Sequence, residues 1–418
     1  MALIPNLTGA RGSARALLHR HAVPPSPGLI DKIARCYVVV AFVVFVADLL
    51  RQTSDGLTDG VARPFGDDFI NFWSGPFLAW HQRTAEIYNF DAFHAFEQSI
   101  VGDHLQGYNY SYPPVLLVLT APLALIPYIP GLVLWLAGGW FGFYRALRLA
   151  MANGGALLFA LATPAVFVNA VGGQNGTWTA ALFGGGLGLL DRRPLVAGSL
   201  LGLLIYKPQL GILIPIALLA GRRWQALAAA AATACCLIAV SLLWFGPDIY
   251  VAYLQRLGLI RHFSLEDGSG VWHRALSVFV AARRLGADVA TAYLVQAVVA
   301  AIAAAAVAAA WFRDASFGVR NAILLLGTCL ATPYLQDYDL VFGALIVVWL
   351  GQDAVVRHIP EFPLFVANAA LLLIPLFAAS LAHLTGLELG PLFILPLFVI
   401  AVKCALAGPP SVKPLGAE

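Results

Sequence analysis

Charge is what this chain has least of. Lys, Arg, Asp and Glu make up 11% of its 418 residues, less than half the usual share of about 25%. Hydrophobic residues make up 60%, and mean hydropathy is +0.80. Its 25 basic and 22 acidic side chains cannot cover a water-soluble globule of this length, so a soluble enzyme is excluded. A disordered scaffold, which needs low hydrophobicity, is excluded too. The net charge of +3 gives no footprint for a nucleic-acid partner. Cysteine is also sparse: Cys36, Cys235, Cys236, Cys329 and Cys404 show neither metal-ligand spacing nor a disulfide framework. Cys235 and Cys236 lie in an apolar run and read as small core residues. What remains is the profile of an all-α polytopic membrane protein.

Residues 1–32 carry Arg11, Arg15, Arg20 and Lys32 and read as a cytoplasmic tail. The first apolar stretch, 33–50, lacks a small-residue cleavage site after it and reads as a retained signal anchor. Stretches 224–247 and 289–312 are free of charge, and each can cross about 30 Å of hydrocarbon; 362–382 also qualifies. Runs at 156–171, 177–190, 194–206, 208–220, 322–331, 340–350 and 391–402 are shorter, so short, tilted or broken helices are expected.

Basic residues set the orientation. Arg192, Arg193, Arg222, Arg223, the stretch from Arg313 to Arg320, Arg357, Lys403 and Lys413 fall on the cytoplasmic side. The opposite face then holds loop 51–112, the Gly173-Gln174-Asn175-Gly176 turn, the Lys207 turn, loop 246–286 and residues 332–339. Alternation requires an odd number of crossings in 113–150, read as one full span plus a partial piece broken at Pro127 and Pro130. The expectation is about 12 crossings, a single membrane domain over 33–406, and a cytoplasmic tail at 407–418. The segment 69–80, FINFWSGPFLAW, reads as an amphipathic helix lying at the headgroups.

The remaining polar residues form five groups. Asp67-Asp68 heads the aromatic helix and can supply a general base, help hold a divalent cation, or merely cap the helix. Lys207 is the only lysine between Lys32 and Lys403. It sits on the face opposite to topology-setting charge, where an ammonium can bind phosphate or snorkel to the interface. Gln174 and Asn175, in a Gly-rich turn, carry amides suited to sugar hydroxyls or to the turn itself. Residues 332–339, with Tyr334, Gln336, Asp337, Tyr338 and Asp339, combine rings, an amide and two carboxylates between two apolar helices, a sugar-binding set or an interfacial aromatic belt that would leave the two aspartates unexplained. His273 and Arg274 follow Arg256, Arg261 and His262 in the second long loop, where Arg pairs with phosphate or is simply solvated. All five fall on one face. A carboxylate, cations and amides together suit transfer of a sugar from a lipid phosphate. A glycosidase would need two carboxylates with divided roles.

The chain resembles glycosyltransferase family 87, membrane enzymes of the GT-C fold. The resemblance rests on Asp68-Phe69-Ile70-Asn71-Phe72-Trp73, on residues 107–114 (GYNYSYPP) and on 122–127 (PLALIP). It continues in Gly173-Gln174-Asn175, Lys207-Pro208-Gln209 and Thr332-Pro333-Tyr334. The ordered set covers about residues 30 to 350. It implies an inverting, metal-independent transfer, without a cofactor, from a polyprenyl-phosphate sugar to a lipid or glycan acceptor. It implies a catalytic Asp68, with Asp67 as the other candidate. Donor phosphate contacts are then expected from Lys207, Arg274 and His273. Sugar or acceptor contacts are expected from Gln174, Asn175, Gln209, Tyr334, Gln336, Asp337 and Tyr338. Members often carry a histidine after the late Ser/Thr-Pro motif, where this chain has Gln336, Asp337 and Tyr338. The sugar therefore stays open between a mannose-like hexose and a pentose. The resemblance implies a bacterial inner membrane with the site facing the periplasm. The competing reading is a transporter or flippase for a lipid or small polar solute, but no internal repeat supports it.

Overall fold

The computed structural model describes residues 24–151, 154–268, 271–353 and 359–407. The expected N-terminal tail up to residue 23, the tail 408–418 and Arg357 lie outside them. Among the described residues there are helices and turns but no strands, apart from isolated bridges such as Ala275 with Gln336.

Five helices are long and apolar enough to cross a membrane: Pro27–Arg51, Trp224–Phe245, Val289–Phe312, Glu361–Thr385 and Gly390–Ala407. Local chemistry fixes their ends. Ser26 caps the first of them, with Pro27 opening it. Asp288 caps Val289–Phe312 by accepting the Thr291 N–H at 2.7 Å, and Gly386 ends Glu361–Thr385 in the left-handed conformation. Pro27–Arg51 has no buried residue, and Leu243, Leu294 and Phe312 stand out from the later helices. Apolar side chains facing outward over whole helices need lipid, not water. The chain is an integral membrane protein. Cys235 and Cys236 are exposed on such a face, which corrects the expectation that they are core: in a bilayer, an apolar residue need not be buried.

Shorter helices fill the interior. Phe317–Ala331 is buried along nearly its whole length. Residues 113–150 form a short helix, Val115–Leu119, a 3-10 turn, Ala121–Leu125, and then a 23-residue helix, Tyr128–Ala150. Pro127 and Pro130 fall at the start of that last helix, where a missing N–H costs nothing.

Successive helices run between two ends. At one end, Asp191 pairs with Arg223 at 2.8 Å and with Arg320 at 3.0 Å, and Arg320 also binds Asp314 at 2.6 Å. The other end gathers loop 51–112, the Gly-rich turn, Lys207 and residues 271–277 and 332–339. There Asp337 N–H donates to the Arg274 carbonyl at 3.0 Å, and Leu276 N–H to the Leu335 carbonyl at 2.9 Å.

Loop 51–112 is built from Phe69–Trp80, Thr84–Ile87 and Phe90–Val101. The first of these is not an interfacial helix. Ten of its residues, Asn71 and Ser74 among them, are buried. The correction has a physical reason: rings line more than one side of this helix, so several sides need a dry partner. Phe72 stacks on Trp135 at 4.8 Å, and Trp73 packs against Tyr128 and Phe96.

Candidate functional site

The two aspartates at the head of the Phe69–Trp80 helix have different surroundings. Asp67 takes a left-handed φ of +49°. Its carboxylate pairs with Arg63 at 2.8 Å and accepts the Tyr108 hydroxyl at 2.7 Å. Arg63 also holds Asp48, at the end of the Pro27–Arg51 helix, at 3.2 Å. Asp67 is therefore tied to Arg63 and Tyr108. Asp68 accepts from the Gln174 side-chain amide and meets no cation directly. Burial, and then the Asp67 carboxylate, push its pKa up to about 7.

The Gly-rich turn that supplies Gln174 is pressed against this loop. Gly173 has φ +59°, and a Cβ there would collide with the Gly66 carbonyl oxygen. The Trp135 indole N–H holds the Gly173 carbonyl at 3.2 Å. A Cβ on Gly176 would strike the Tyr338 carbonyl oxygen. Only glycine lets three distant segments approach this closely.

Lys207 is 2% exposed. Its ammonium pairs with Asp339 at 2.5 Å and donates to Asn175 Oδ1 at 3.0 Å. The Asn175 amide in turn donates to the Tyr112 hydroxyl at 3.0 Å. Arg274 binds Asp337 through Nε and Nη2, both at 3.1 Å. Tyr338 carries both cations: Lys207 lies 4.7 Å and Arg274 5.6 Å from its ring centroid. Arg274 also reaches the Gly-rich turn, since Nη2 would lie 3.4 Å from a Cβ on Gly172. Asp68, Gln174, Asn175, Lys207, Arg274, Asp337 and Tyr338 thus form one connected neighbourhood.

The other expected residues stand apart from it to different degrees. His273 stacks on His383 at 5.4 Å, and burial, then the Arg274 charge, lower its pKa. Gln209 is half-buried beside Lys207 in the chain. Tyr334 packs against a small separate cluster of Leu265, Ala275 and Phe279. The Gln336 side chain caps the short helical turn Asp337–Phe342. Among the described residues, no three His, Cys, Asp or Glu side chains come together as a metal-binding group.

Three residues had no site role assigned from sequence. Asp339, the second aspartate of the 332–339 stretch, is the partner of Lys207, and Tyr112, within the 107–114 stretch, is the partner of Asn175. The third is Glu97, fully buried, with neither carboxylate oxygen hydrogen-bonded. Burial, and then the charge of Asp68, raise its pKa well above the ordinary glutamate value. A signal existed: Phe93, Glu97 and Val101 share the i, i+4 spacing of a buried stripe.

Residues 110–333, more than half the chain, match the model of glycosyltransferase family 87. No curated protein and no solved structure matches the chain.

Proposed function

The chain belongs to glycosyltransferase family 87, and on that premise we propose that it moves a sugar from a polyprenyl-phosphate donor to a hydroxyl-bearing lipid or glycan, with Asp68 as general base. That it is a membrane glycosyltransferase follows from its family and its lipid-facing helices, and a transporter reading is set aside. The donor, acceptor, stereochemistry and base are the proposal.

The carrying observation is the environment of Asp68. It is a half-buried carboxylate whose pKa is raised to about 7 by partial burial and then by Asp67, steadied by one neutral amide and with no ion pair to a cation among the described residues. Such a group takes a proton readily once a hydroxyl reaches it. In the proposed step the acceptor oxygen attacks the anomeric carbon, and its proton passes to Asp68. The bond from that carbon to the phosphate oxygen breaks, and the electron pair leaves with polyprenyl phosphate. A single displacement inverts the anomeric centre. Asp337 occupies Nε and Nη2 of Arg274, which leaves Nη1 for the departing phosphate.

Lys207 takes a different part from the one its isolation in sequence suggests. Paired with Asp339 and bound to Asn175, it positions the amide and Tyr338 and does not act as a free phosphate-binding cation. We further propose a GT-C arrangement with about 12 crossings and both termini on the basic side. The sugar transfer site then faces away from the cytoplasm.

The experiment is radiolabel transfer from a panel of polyprenyl-phosphate sugars by purified protein, with and without chelator. Asp68→Asn is expected to cut transfer by about 100-fold or more while thermal unfolding stays close to wild type. Full activity in Asp68→Asn rules out this base.

A further inference from the structure

The end of the molecule away from Asp68 carries charge that sugar transfer does not use. Three turns meet there. Asp191, just after Gly176–Leu189, pairs with Arg223 and Arg320, and Arg320 also holds Asp314. The turn after Ile214–Ala220 packs on the end of Val289–Phe312, since a Cβ on Gly221 would lie 2.8 Å from the Trp311 ring. Arg223 and Arg320 thus satisfy Asp191 and Asp314, and the nearby Asp353 carboxylate accepts the Gly318 N–H at 3.0 Å. Arg192, Arg193, Arg222 and Arg313 are left over. All four are exposed, and none forms an ion pair among the described residues.

The backbone under two of these arginines is strained. Arg222 has a left-handed φ of +55°, and Asp314, next to Arg313, one of +49°. Glycine takes that conformation freely, and a residue with a Cβ does not; such strain is kept where a side chain has a task. The Arg222 guanidinium lies 6.0 Å from the Phe312 ring centroid, and Arg313 follows Phe312 directly. Phe312 and Trp224 are 69% and 60% exposed. They stand at the ends of two membrane-crossing helices, Val289–Phe312 and Trp224–Phe245, the depth at which rings meet headgroups. A ligand for this place needs an anion at headgroup depth and an apolar body lying along the helices. Guanidinium forks suit phosphate oxygens. An anionic phospholipid has both parts, and a soluble phosphate has only the first. We propose that Arg222 and Arg313, flanked by Trp224 and Phe312, form a binding site for the phosphate of an anionic phospholipid in the leaflet at this end of the molecule. Arg192 and Arg193, on the turn tied in by Arg223, add positive potential around it. The site stands whichever sugar and acceptor the enzyme uses.

If these arginines served only to orient the chain during insertion, the inserted protein would be indifferent to lipid charge. The test reconstitutes the full chain in nanodiscs of phosphatidylcholine with graded phosphatidylglycerol and follows the thermal midpoint. Wild type should be stabilised saturably as phosphatidylglycerol increases. Arg222→Gln and Arg313→Gln should each raise the half-saturating fraction about fivefold, equivalent to about 1 kcal/mol. Arg222→Gly should do the same, even though glycine suits the backbone there. Arg261→Gln, at the opposite end and paired with Glu266 at 3.0 Å, should leave the response unchanged. Inorganic phosphate added to pure phosphatidylcholine discs should not reproduce the stabilisation. A wild-type midpoint that ignores phosphatidylglycerol, or a response kept in full by both glutamine variants, overturns the site. An equal loss in Arg261→Gln would make the effect one of overall charge, and an equal effect of inorganic phosphate would make the ligand a soluble anion; either result overturns the phospholipid assignment.

Discussion

At the scale of the residue, two chemically identical neighbours have become different groups. Asp67 is fixed by Arg63 and Tyr108, whereas Asp68 is half-buried beside one amide. The difference predicts a pH dependence. Burial and Asp67 raise the Asp68 pKa to about 7, so the base is protonated and idle below that pH and ionised above it. The kcat/KM for transfer should therefore rise about tenfold between pH 6 and pH 8 and then level off. Asp67→Asn removes the like charge and releases Arg63, and both changes favour the ionised form of Asp68. The acid limb should move to lower pH. A limb that stays in place, or moves upward, assigns the titration to another group. The family resemblance ranked Asp68 above Asp67, but the residues themselves show only two adjacent acids, and the physical division between them was not legible in the sequence. What decides between them is Arg63, four residues back, together with Tyr108 and Gln174 from far along the chain. Glu97 escaped notice for a related reason: its burial depends on the helix in which it sits packing against its neighbours.

At the scale of the element, the site is held together by short connections more than by long helices. The turn between Pro164–Val171 and Gly176–Leu189 touches the Asp68 loop through Gly173 and the Tyr338 segment through Gly176. The turn after Pro194–Gly202 delivers Lys207 to Asp339, 132 residues away in sequence. Sequence reading could mark Lys207 as unusual, because an isolated charge between apolar helices stands out. It could not find its partner, since Asp337 and Asp339 look equivalent. The structure pairs one with Arg274 and the other with Lys207. Removing one member of a fully buried pair strands the other. Lys207→Met should cost about 3–5 kcal/mol of stability, seen as a fall in the thermal midpoint of the detergent-solubilised protein. Adding Asp339→Leu removes the stranded charge and should recover much of that loss, while transfer stays impaired because Asn175 and Tyr338 have lost the ammonium that orders them. A double variant no more stable than Lys207→Met would refute the pairing as a source of stability.

At the scale of the whole molecule, the two ends of the helical body carry different chemistry. One end gathers Arg192, Arg193, Arg222, Arg223 and Arg320 around Asp191 and Asp314; the other holds Asp68, Lys207 and Arg274 with their partners. The helix Gly176–Leu189 leads from one to the other, and its 14 residues span about 21 Å. This separation was the most legible feature of the chain. It follows from where Lys and Arg fall between apolar runs, and membrane insertion reads that pattern directly. The helix lengths were less legible, because broken pieces such as Pro208–Gly211 and Ile214–Ala220 are stable only when neighbours cover them. The basic end should face the cytoplasm. Ser54 and Arg192 are exposed at the two ends, so single cysteines there report orientation. In a background with Cys36, Cys235, Cys236, Cys329 and Cys404 replaced, a membrane-impermeant maleimide added to spheroplasts should label Ser54→Cys at once. It should label Arg192→Cys only after the membrane is permeabilised. The reverse pattern would put the site on the cytoplasmic side. A polyprenyl-phosphate sugar would then have to be met on the leaflet where it is made, and the extracytoplasmic placement of the transfer reaction would be wrong even if Asp68 remained its base.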